Sequence, residues 1–318
     1  MAYSPAGLTT QTATLAHLAT VFYEKRPLDR LEAKFRFFHA CDPHPLPLNS
    51  GKTIQMFRQT LPGFNTNPSA EGVVGSPISQ TTTTVSATIE QYSDFESSSQ
   101  LLDLTDIHPP VTRMVDDLSY RAAGSVDTII RTEIDGNSSA IVSTIGAALA
   151  AADFRKQTSL LAGINVRPKS GNEWLGVIHP YVKFDLVSDN TAGGFIDALK
   201  YANGMQVLNG EIGMVGGVRL MESTNVGSTG SAPNVLYYSY IFGEGGIGIV
   251  DLTGKGPDRV EDPRMQKFRI NVTNPGPSAA DPVGEIKTLA AYWFAFAAKT
   301  LDTTNLRFKI VKADASII

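Results

Sequence analysis

The clearest periodicity in the chain is a run of apolar positions, three and four residues apart, that begins just after residue 108. Such spacing places the apolar side chains in one stripe along an α-helix. Two successive prolines, Pro109 and Pro110, suit the start of that helix. The pattern predicts a helix over residues 109–135, about 37 Å long, packed on a core. The stripe consists of Val111, Met114, Val115, Leu118, Ala122, Val126, Ile129, Ile130 and Ile134.

Residues 51–105, ahead of this helix, predict a long two-stranded hairpin. The β-favouring stretch KTIQMFRQTL is followed by residues rich in Gly, Pro, Asn and Ser, and then by the β-favouring TTTTVSATIEQYSDFE. The two strands carry few apolar side chains and cannot form a core by themselves. We therefore expect the hairpin to be stabilised by packing on another chain.

Residues 1–50 predict an arm. A short helical stripe is formed by Leu15, Leu18, Val21 and Phe22, and prolines at positions 43, 45 and 47 then impose an extended path. An extended segment of this kind has no core of its own, so we expect it to leave its domain and lie on a neighbouring subunit.

The rest of the chain predicts a mixed α+β body. A second helix is expected over residues 139–163, and a helical patch over residues 192–204. Strands are expected in the stretches EWLGVIHPYVKFDLV, GEIGMVGGVRLMEST, VLYYSYIFGEGGIGIVDL, KFRINVT, LAAYWFAFAAKTL and NLRFKIVKADASII.

Composition narrows the functional classes. The chain has 318 residues and a formal net charge of −4, which provides no basic surface for gripping phosphates. A single cysteine, Cys41, excludes an internal disulfide and a CxxC metal knuckle. No secretion signal and no membrane-spanning run is predicted. On the long helix, Asp127 and Arg131 have the spacing of an i,i+4 ion pair.

Each candidate catalytic or binding motif lacks a residue or an element that its chemistry requires. The NSGKT stretch at residues 49–53 has no glycine at the start of a phosphate-binding loop, and a strand follows it. The five histidines form no HExxH pair, and His39, Cys41 and His44 give too few zinc ligands. The glycines of residues 243–256 precede a strand rather than the helix of a dinucleotide site, so a tight β-turn is expected. The aromatic run at residues 291–296 is expected to be core rather than a base-stacking surface. We predict no enzyme activity, no cofactor and no metal.

Several stretches resemble the podovirus major capsid family typified by phage N4, within the wider Hong Kong 97-like capsid fold. They are KTIQMFRQTLP, AEGVVGSPISQTTTTVSATIEQYSDF, HPPVTRMVDDLSYRAAGSVDTIIRTEI, WLGVIHPYVKFDL, GEIGMVGGVRLMES and YYSYIFGEGGIGIVDL. The resemblance covers about residues 50–310, and its most specific part is the hairpin with its Thr-rich return strand. It implies an N-terminal arm (1–50), an extended loop (51–105), a peripheral domain with the spine helix (106–185 and 291–318) and an axial domain (186–290).

The function that the resemblance implies is self-association. Copies would form hexamers and pentamers of an icosahedral head that encloses double-stranded DNA without sequence-specific binding. Expected partners are a portal protein, a separate scaffolding protein, since only about 50 residues precede the loop, and a decoration or cement protein. Cross-linking through Lys52, the one lysine of the loop, is not expected, and the expected location is the virion after synthesis in the host cytoplasm. Subunit contacts are expected in the arm, at Leu18, Phe22, Phe37 and Phe38, and in the loop tip, at Leu61, Phe64, Val73, Val74 and Ile78.

Two alternatives remain open at this level. An encapsulin, a bacterial shell that holds cargo enzymes, shares the same wider fold. A β-rich hydrolase or carbohydrate-binding module would instead be a soluble monomer with a pocket.

Overall fold

A computed structural model describes residues 35–47, 50–60, 62–66, 68, 71–72, 77–106, 110–188, 211–231, 234–251, 270–278 and 281–314. The helices are α1 (Gln100–Thr105), α2 (Pro110–Asp135), α3 (Ala151–Gly163) and α4 (Pro180–Ser188). The strands are β1 (Asp42–Pro43), β2 (Thr53–Thr60), β3 (Thr81–Thr88), β4 (Glu90–Ser99), β5 (Ile141–Ile145), β6 (Trp174–Ile178), β7 (Glu211–Val215), β8 (Val218–Glu222), β9 (Ser228–Thr229), β10 (Leu236–Phe242), β11 (Ile247–Asp251), β12 (Ile270–Thr273), β13 (Ile286–Thr300) and β14 (Phe308–Asp314).

The long helix is confirmed as α2, which spans 26 residues. Its apolar stripe faces inward, and Leu118, Ile130 and Ile134 have no exposed surface. The helix ends at Asp135, where the side-chain amide of Asn137 donates to the carbonyl oxygen of Glu133 and replaces a missing helical donor. Burial of this stripe is the main reason why the helix is stable at such a length.

Helix α2 packs on a five-stranded sheet. Strand β13 lies at its centre, with β4 along one edge and with β11 and β12 pairing to its two ends. The long strand alternates, so that Tyr292, Phe294 and Phe296 point into the core while Trp293 points away from it. The short strand β1, which belongs to the predicted arm, pairs in parallel with β11.

A seven-stranded sheet forms the second part of the body. Its strand order is β5-β14-β10-β6-β8-β7, with β9 paired to β10. A separate apolar cluster covers one side of this sheet and includes Phe154 and Leu161 of α3 and Val182 and Leu186 of α4. The sheet therefore combines residues from both sides of the predicted domain boundaries at 185 and 291, and those boundaries stay a prediction.

The structure corrects two secondary-structure predictions. Residues 139–163 are not one helix, because the β-branched residues of β5 pair in parallel with β14 before α3 begins. Residues 173–187 are not one strand, because β6 ends at Ile178 and Pro180 opens the helix α4. The helical patch at 192–204 lies outside the described residues.

The hairpin is confirmed. Strands β2 and β3 pair antiparallel in an unbroken register from Thr53 opposite Thr88 to Thr60 opposite Thr81. The predicted return strand divides at Ile89, which is buried, and its second half continues as β4 on the edge of β13. The return strand of the hairpin therefore continues, after Ile89, as a strand of the five-stranded sheet.

Candidate subunit contacts

The two faces of the hairpin differ in chemistry. On the inner face, Ile54 and Met56 of β2 and Ala87 of β3 pack into a small apolar cluster with Leu46, Val250 and Ala297. The outer face presents a ladder of Thr, Ser and Gln side chains, in which Phe57 is the large apolar exception at 80% exposed. The base of the hairpin therefore packs on its own chain, whereas the sequence predicted stabilisation by another chain.

An ion pair adds a second anchor at the base. Arg58, on the inner face, pairs with Asp302, which lies in the loop between β13 and β14 and is only 4% exposed. Burial alone would raise the pKa of Asp302, but hydrogen bonds from the Arg58 guanidinium and from the backbone N–H groups of Asn305 and Thr304 outweigh it. The pKa of Asp302 consequently lies below its ordinary value, and the carboxylate is held in its charged form.

Beyond the paired strands, the described residues of the loop tip are all exposed. Phe64 is 99% exposed and Ile78 is 60% exposed, so both predicted contact residues project away from their own chain. The predicted contact residues Leu61, Val73 and Val74 lie outside the described residues. Neither side chain is therefore buried by the described residues of its own chain.

The arm begins its described part on helix α2. Phe37 is fully buried in its own chain, with its ring 5.0 Å from that of Tyr240, and so exposes no surface to a neighbour. Its backbone N–H donates to Asp127 of α2 at 2.8 Å. Phe38, the next residue, is 53% exposed and is available for a contact. The arm residues Leu18 and Phe22 lie outside the described residues.

No protein-family model matches this sequence, and no curated protein matches it. Solved structures match nearly the whole chain. The capsid of the cyanophage P-SCSP1u is 11% identical with a TM-score of 0.67, and the match covers 99% of both chains. The capsid of Ralstonia phage GP4 is 12% identical with a TM-score of 0.69, covering 94% of this chain and 96% of that one. The acidic stable capsid of the Helicobacter pylori bacteriophage KHP30 is 11% identical with a TM-score of 0.66, covering 96% of this chain and 98% of that one.

The chain has the Hong Kong 97-like capsid fold. The predicted fold class, with its hairpin and long helix in a mixed α+β body, is confirmed. We call β2–β3 with its tip the extended loop, and α2 the spine helix, from here on.

Two exposed apolar surfaces of this Hong Kong 97-like fold were missed by sequence reasoning. On the outer face of the five-stranded sheet, Phe95 is 67% exposed and Trp293 is 48% exposed, although the sequence assigned the whole run around Trp293 to the core. Helix α1 presents Leu101 and Leu104, which are 72% and 75% exposed. Residue type gave no signal for the first surface, because the run around Trp293 is apolar at every position and conceals which face is covered.

An apolar cleft of about 380 Å³ opens beside the spine helix, next to the start of the arm. Its walls include the half-exposed Phe38 together with Ala123 and Val126 of the spine helix and Phe294 of β13. The lining of the cleft is mainly apolar, with Ser119 and Asp251 as its polar members.

The other candidate sites behave as ordinary structure. Gly245 has a positive φ angle and lies in a tight turn between β10 and β11, as predicted for the glycines that begin at residue 243. Gly51, which precedes β2, also has a positive φ angle. Burial raises the pKa of the Cys41 thiol to about 12, which disfavours the thiolate form. Within the described residues, no group of three or more His, Cys, Asp or Glu side chains is arranged to hold a metal ion. Among the described helices, none has the length and apolar character needed to cross a membrane.

Proposed function

We propose that this chain is the major capsid protein of a tailed phage, related to the phage N4 type. Its copies self-associate into hexamers and pentamers, and these close into an icosahedral head around double-stranded DNA. The N4-type stretches of the sequence support the narrower assignment. Its place of action is then the virion, reached after synthesis in the host cytoplasm.

The observation that carries the proposal is the extended loop in a chain that shares its fold, over 94–99% of its length, with the phage capsids named above. The base of the loop is fixed to its own body, while Phe57, Phe64 and Ile78 project into solvent. A hairpin that is anchored at one end and apolar at the other is suited to reach a second copy. Contacts of the same kind on every copy lead to ring closure.

The function is association and not catalysis. Contacts through the extended loop, the arm and the exposed sheet face add together, and closure of a shell makes many modest contacts effectively irreversible. We propose that the arm residues Leu18, Phe22 and Phe38 and the tip residues Leu61, Phe64, Val73, Val74 and Ile78 take part in these contacts. Portal, scaffolding and decoration proteins are proposed as further partners.

An encapsulin shell is the less favoured reading, because the solved structures named above are phage capsids. Both readings predict a closed shell but differ in its content. Particles recovered from the host would contain packaged genome under our proposal and a cargo protein under the alternative.

The experiment is size-exclusion chromatography of the purified full chain, followed by negative-stain microscopy. We expect capsomers or closed shells. A matched variant in which residues 62–79 are replaced by a short Gly-Ser turn retains the paired strands β2 and β3, and should remain folded but fail to form shells. A wild-type chain that stays monomeric under all assembly conditions overturns the proposal.

A further inference from the structure

A buried carboxylate on the spine helix holds the start of the arm. Asp127 is 2% exposed although it lies among apolar residues of the spine helix. Its Oδ1 accepts the backbone N–H of Phe37 at 2.8 Å, and its Oδ2 accepts the side-chain amide of Asn225 at 3.0 Å. A carboxylate is costly to bury and is retained only where such partners satisfy it.

The hydrogen bonds around Asn225 have only one possible direction. Its amide nitrogen donates to Asp127 and to the hydroxyl oxygen of Thr128 at 3.3 Å, and its amide oxygen accepts Nη1 of Arg131 at 2.8 Å. A carboxylate can only accept and a guanidinium can only donate. The orientation of the Asn225 amide is therefore set by its two neighbours on the spine helix.

The same chain of contacts continues to the second sheet. Arg131 lies 3.8 Å from the carboxylate of Asp135, whose Oδ1 accepts the hydroxyl of Tyr240 at 2.7 Å. Tyr240 belongs to β10 of the seven-stranded sheet, and its hydroxyl oxygen accepts the backbone N–H of Gly227 at 3.0 Å. The ring of Phe37 packs edge-on against the ring of Tyr240. One connected cluster thus joins the arm, the spine helix and the seven-stranded sheet.

We propose that Asp127 and Asn225 form a clasp that holds the first described residues of the arm, around Phe37, in one position on the spine helix during assembly. Asp127 acts as a positioning residue, because it is buried and accepts a hydrogen bond from the arm backbone. This role rests on the proposed capsid function. The contact between the arm and Asp127 can be measured in the unassembled chain, independently of shell formation.

The direction of the hydrogen bonds provides the test. In Asp127→Asn, the new amide nitrogen faces either the amide nitrogen of Asn225 or the backbone N–H of Phe37, so one donor loses its acceptor. Asn225 cannot reverse without turning its nitrogen toward Arg131. In Asn225→Asp alone, two carboxylates face each other. The double variant Asp127→Asn with Asn225→Asp restores the contacts to Phe37 and Arg131, since the amide at position 127 donates to the carboxylate at position 225, which still accepts from Arg131. The Thr128 hydroxyl then donates to this carboxylate and no longer accepts from an amide.

Two measurements report on the clasp in the full chain. They are hydrogen exchange of the peptide that contains Phe37 and the rate of trypsin cleavage after Arg36. Each single variant should accelerate both by roughly tenfold to a hundredfold, and the double variant should return both to within about threefold of wild type. Shell formation, followed by microscopy, should be lost in the single variants and recovered in the double variant.

The control is Ile130→Val, which removes one buried methylene from the same helix and leaves the clasp intact. If this control accelerates cleavage as much as Asp127→Asn does, or if the double variant is not rescued, the clasp proposal is wrong. A double variant with normal exchange but no shells would overturn the positioning role. Exchange that is accelerated in each single variant and rescued in the double variant, with no shells even from wild type, would count against the capsid function and not against the clasp.

Discussion

Arg58 of the extended loop forms an ion pair with Asp302, a residue 244 positions further along the chain that is almost fully buried. This pair lies beside the apolar cluster at the base of the loop, so one charged and one apolar contact fix the loop to its own body. Arg307 approaches the same carboxylate at 3.7 Å. The loop therefore leaves the body from a fixed base.

Removal of this guanidinium should weaken the base of the loop. In Arg58→Ala, the buried carboxylate of Asp302 loses its nearest charged donor, and we expect a loss of about 1–3 kcal/mol in local stability. Hydrogen exchange of the β2 amides, compared with that of the spine helix, would measure this. The matched control is Gln55→Ala on the outer face of the same strand, and equal exchange in the two variants would contradict the prediction.

The Asp302 contact should also give the stability a defined pH dependence. Because the pKa of Asp302 lies below its ordinary value, its contribution is fully present above the unfolded pKa, about 3.9, and is lost as pH falls through the folded pKa. The difference in unfolding free energy between wild type and Asp302→Asn should thus be constant above about pH 5 and should narrow below about pH 4. Urea unfolding at a series of pH values would show this.

A background without Arg58 sharpens the pH test. The Arg58 hydrogen bond is the largest of the effects that lower the pKa of Asp302. When Arg58→Ala is present both with Asp302 and with Asp302→Asn, the difference in unfolding free energy between these two chains should therefore change less as pH falls. If that difference decreases at low pH as much as it does with Arg58 present, groups other than Arg58 cause the pH dependence.

Gly227 should not accept a side chain. A methyl group there would begin 2.8 Å from each of Oδ2 of Asp135, a ring carbon of Tyr238 and the hydroxyl oxygen of Tyr240. Gly227→Ala should lower the unfolding free energy by about 1–3 kcal/mol through overpacking. Gly146→Ala is the control, since no atom lies within 4 Å of the added methyl and the change should be nearly neutral or mildly stabilising. Thermal unfolding of both variants decides the matter.

The spine helix should be stabilised mainly by its buried stripe. Leu118 has no exposed surface, and Leu118→Ala should cost about 2–5 kcal/mol in unfolding free energy because it leaves a cavity. Leu104→Ala removes the same atoms from a side chain that is 75% exposed and should change stability by less than about 0.5 kcal/mol. Similar losses in urea unfolding for both variants would mean that the stripe is not the source of stability.

The loop tip should affect assembly without affecting the stability of the single chain. Phe64 is 99% exposed, so Phe64→Ser should alter the unfolding free energy by less than about 0.5 kcal/mol. If Phe64 contacts a neighbouring copy, the same variant should reduce shell formation at a given protein concentration. Sedimentation of assembled particles measures this, with Thr112→Ser on the spine helix as a surface control. Normal shells from Phe64→Ser would remove this residue from the proposed contacts.

Several parts of the fold were predictable because their signals are local. The spine helix follows from apolar spacing over 26 consecutive residues, and the paired strands of the hairpin follow from β-favouring stretches on either side of a turn-rich segment. The prediction failed where a distant contact overrode the local signal. The run that contains β5 has small and apolar residues that suit a helix, and its pairing with β14, over 160 residues away, decided otherwise.

The clasp shows the limit most directly. Sequence spacing paired Asp127 with Arg131, but in the structure Asp127 accepts from Phe37 and Asn225, and Arg131 donates to Asn225. The hydrogen-bonded pairs are 90 to 98 positions apart, and no periodicity relates them. A charged residue beside an apolar stripe usually lies at the solvent boundary, which is why its burial could not be foreseen.

The sequence by itself determined the spine helix, the paired strands of the hairpin, the resemblance to a capsid family and the absence of a complete catalytic motif. Each depends on residue types at short spacing. Only the tertiary structure decided how the fourteen strands of the described residues divide among the sheets, which face of the hairpin is covered by its own chain and which acids are buried. Those outcomes depend on contacts between distant segments, whose energies come from burial and from paired hydrogen bonds that a linear pattern does not encode.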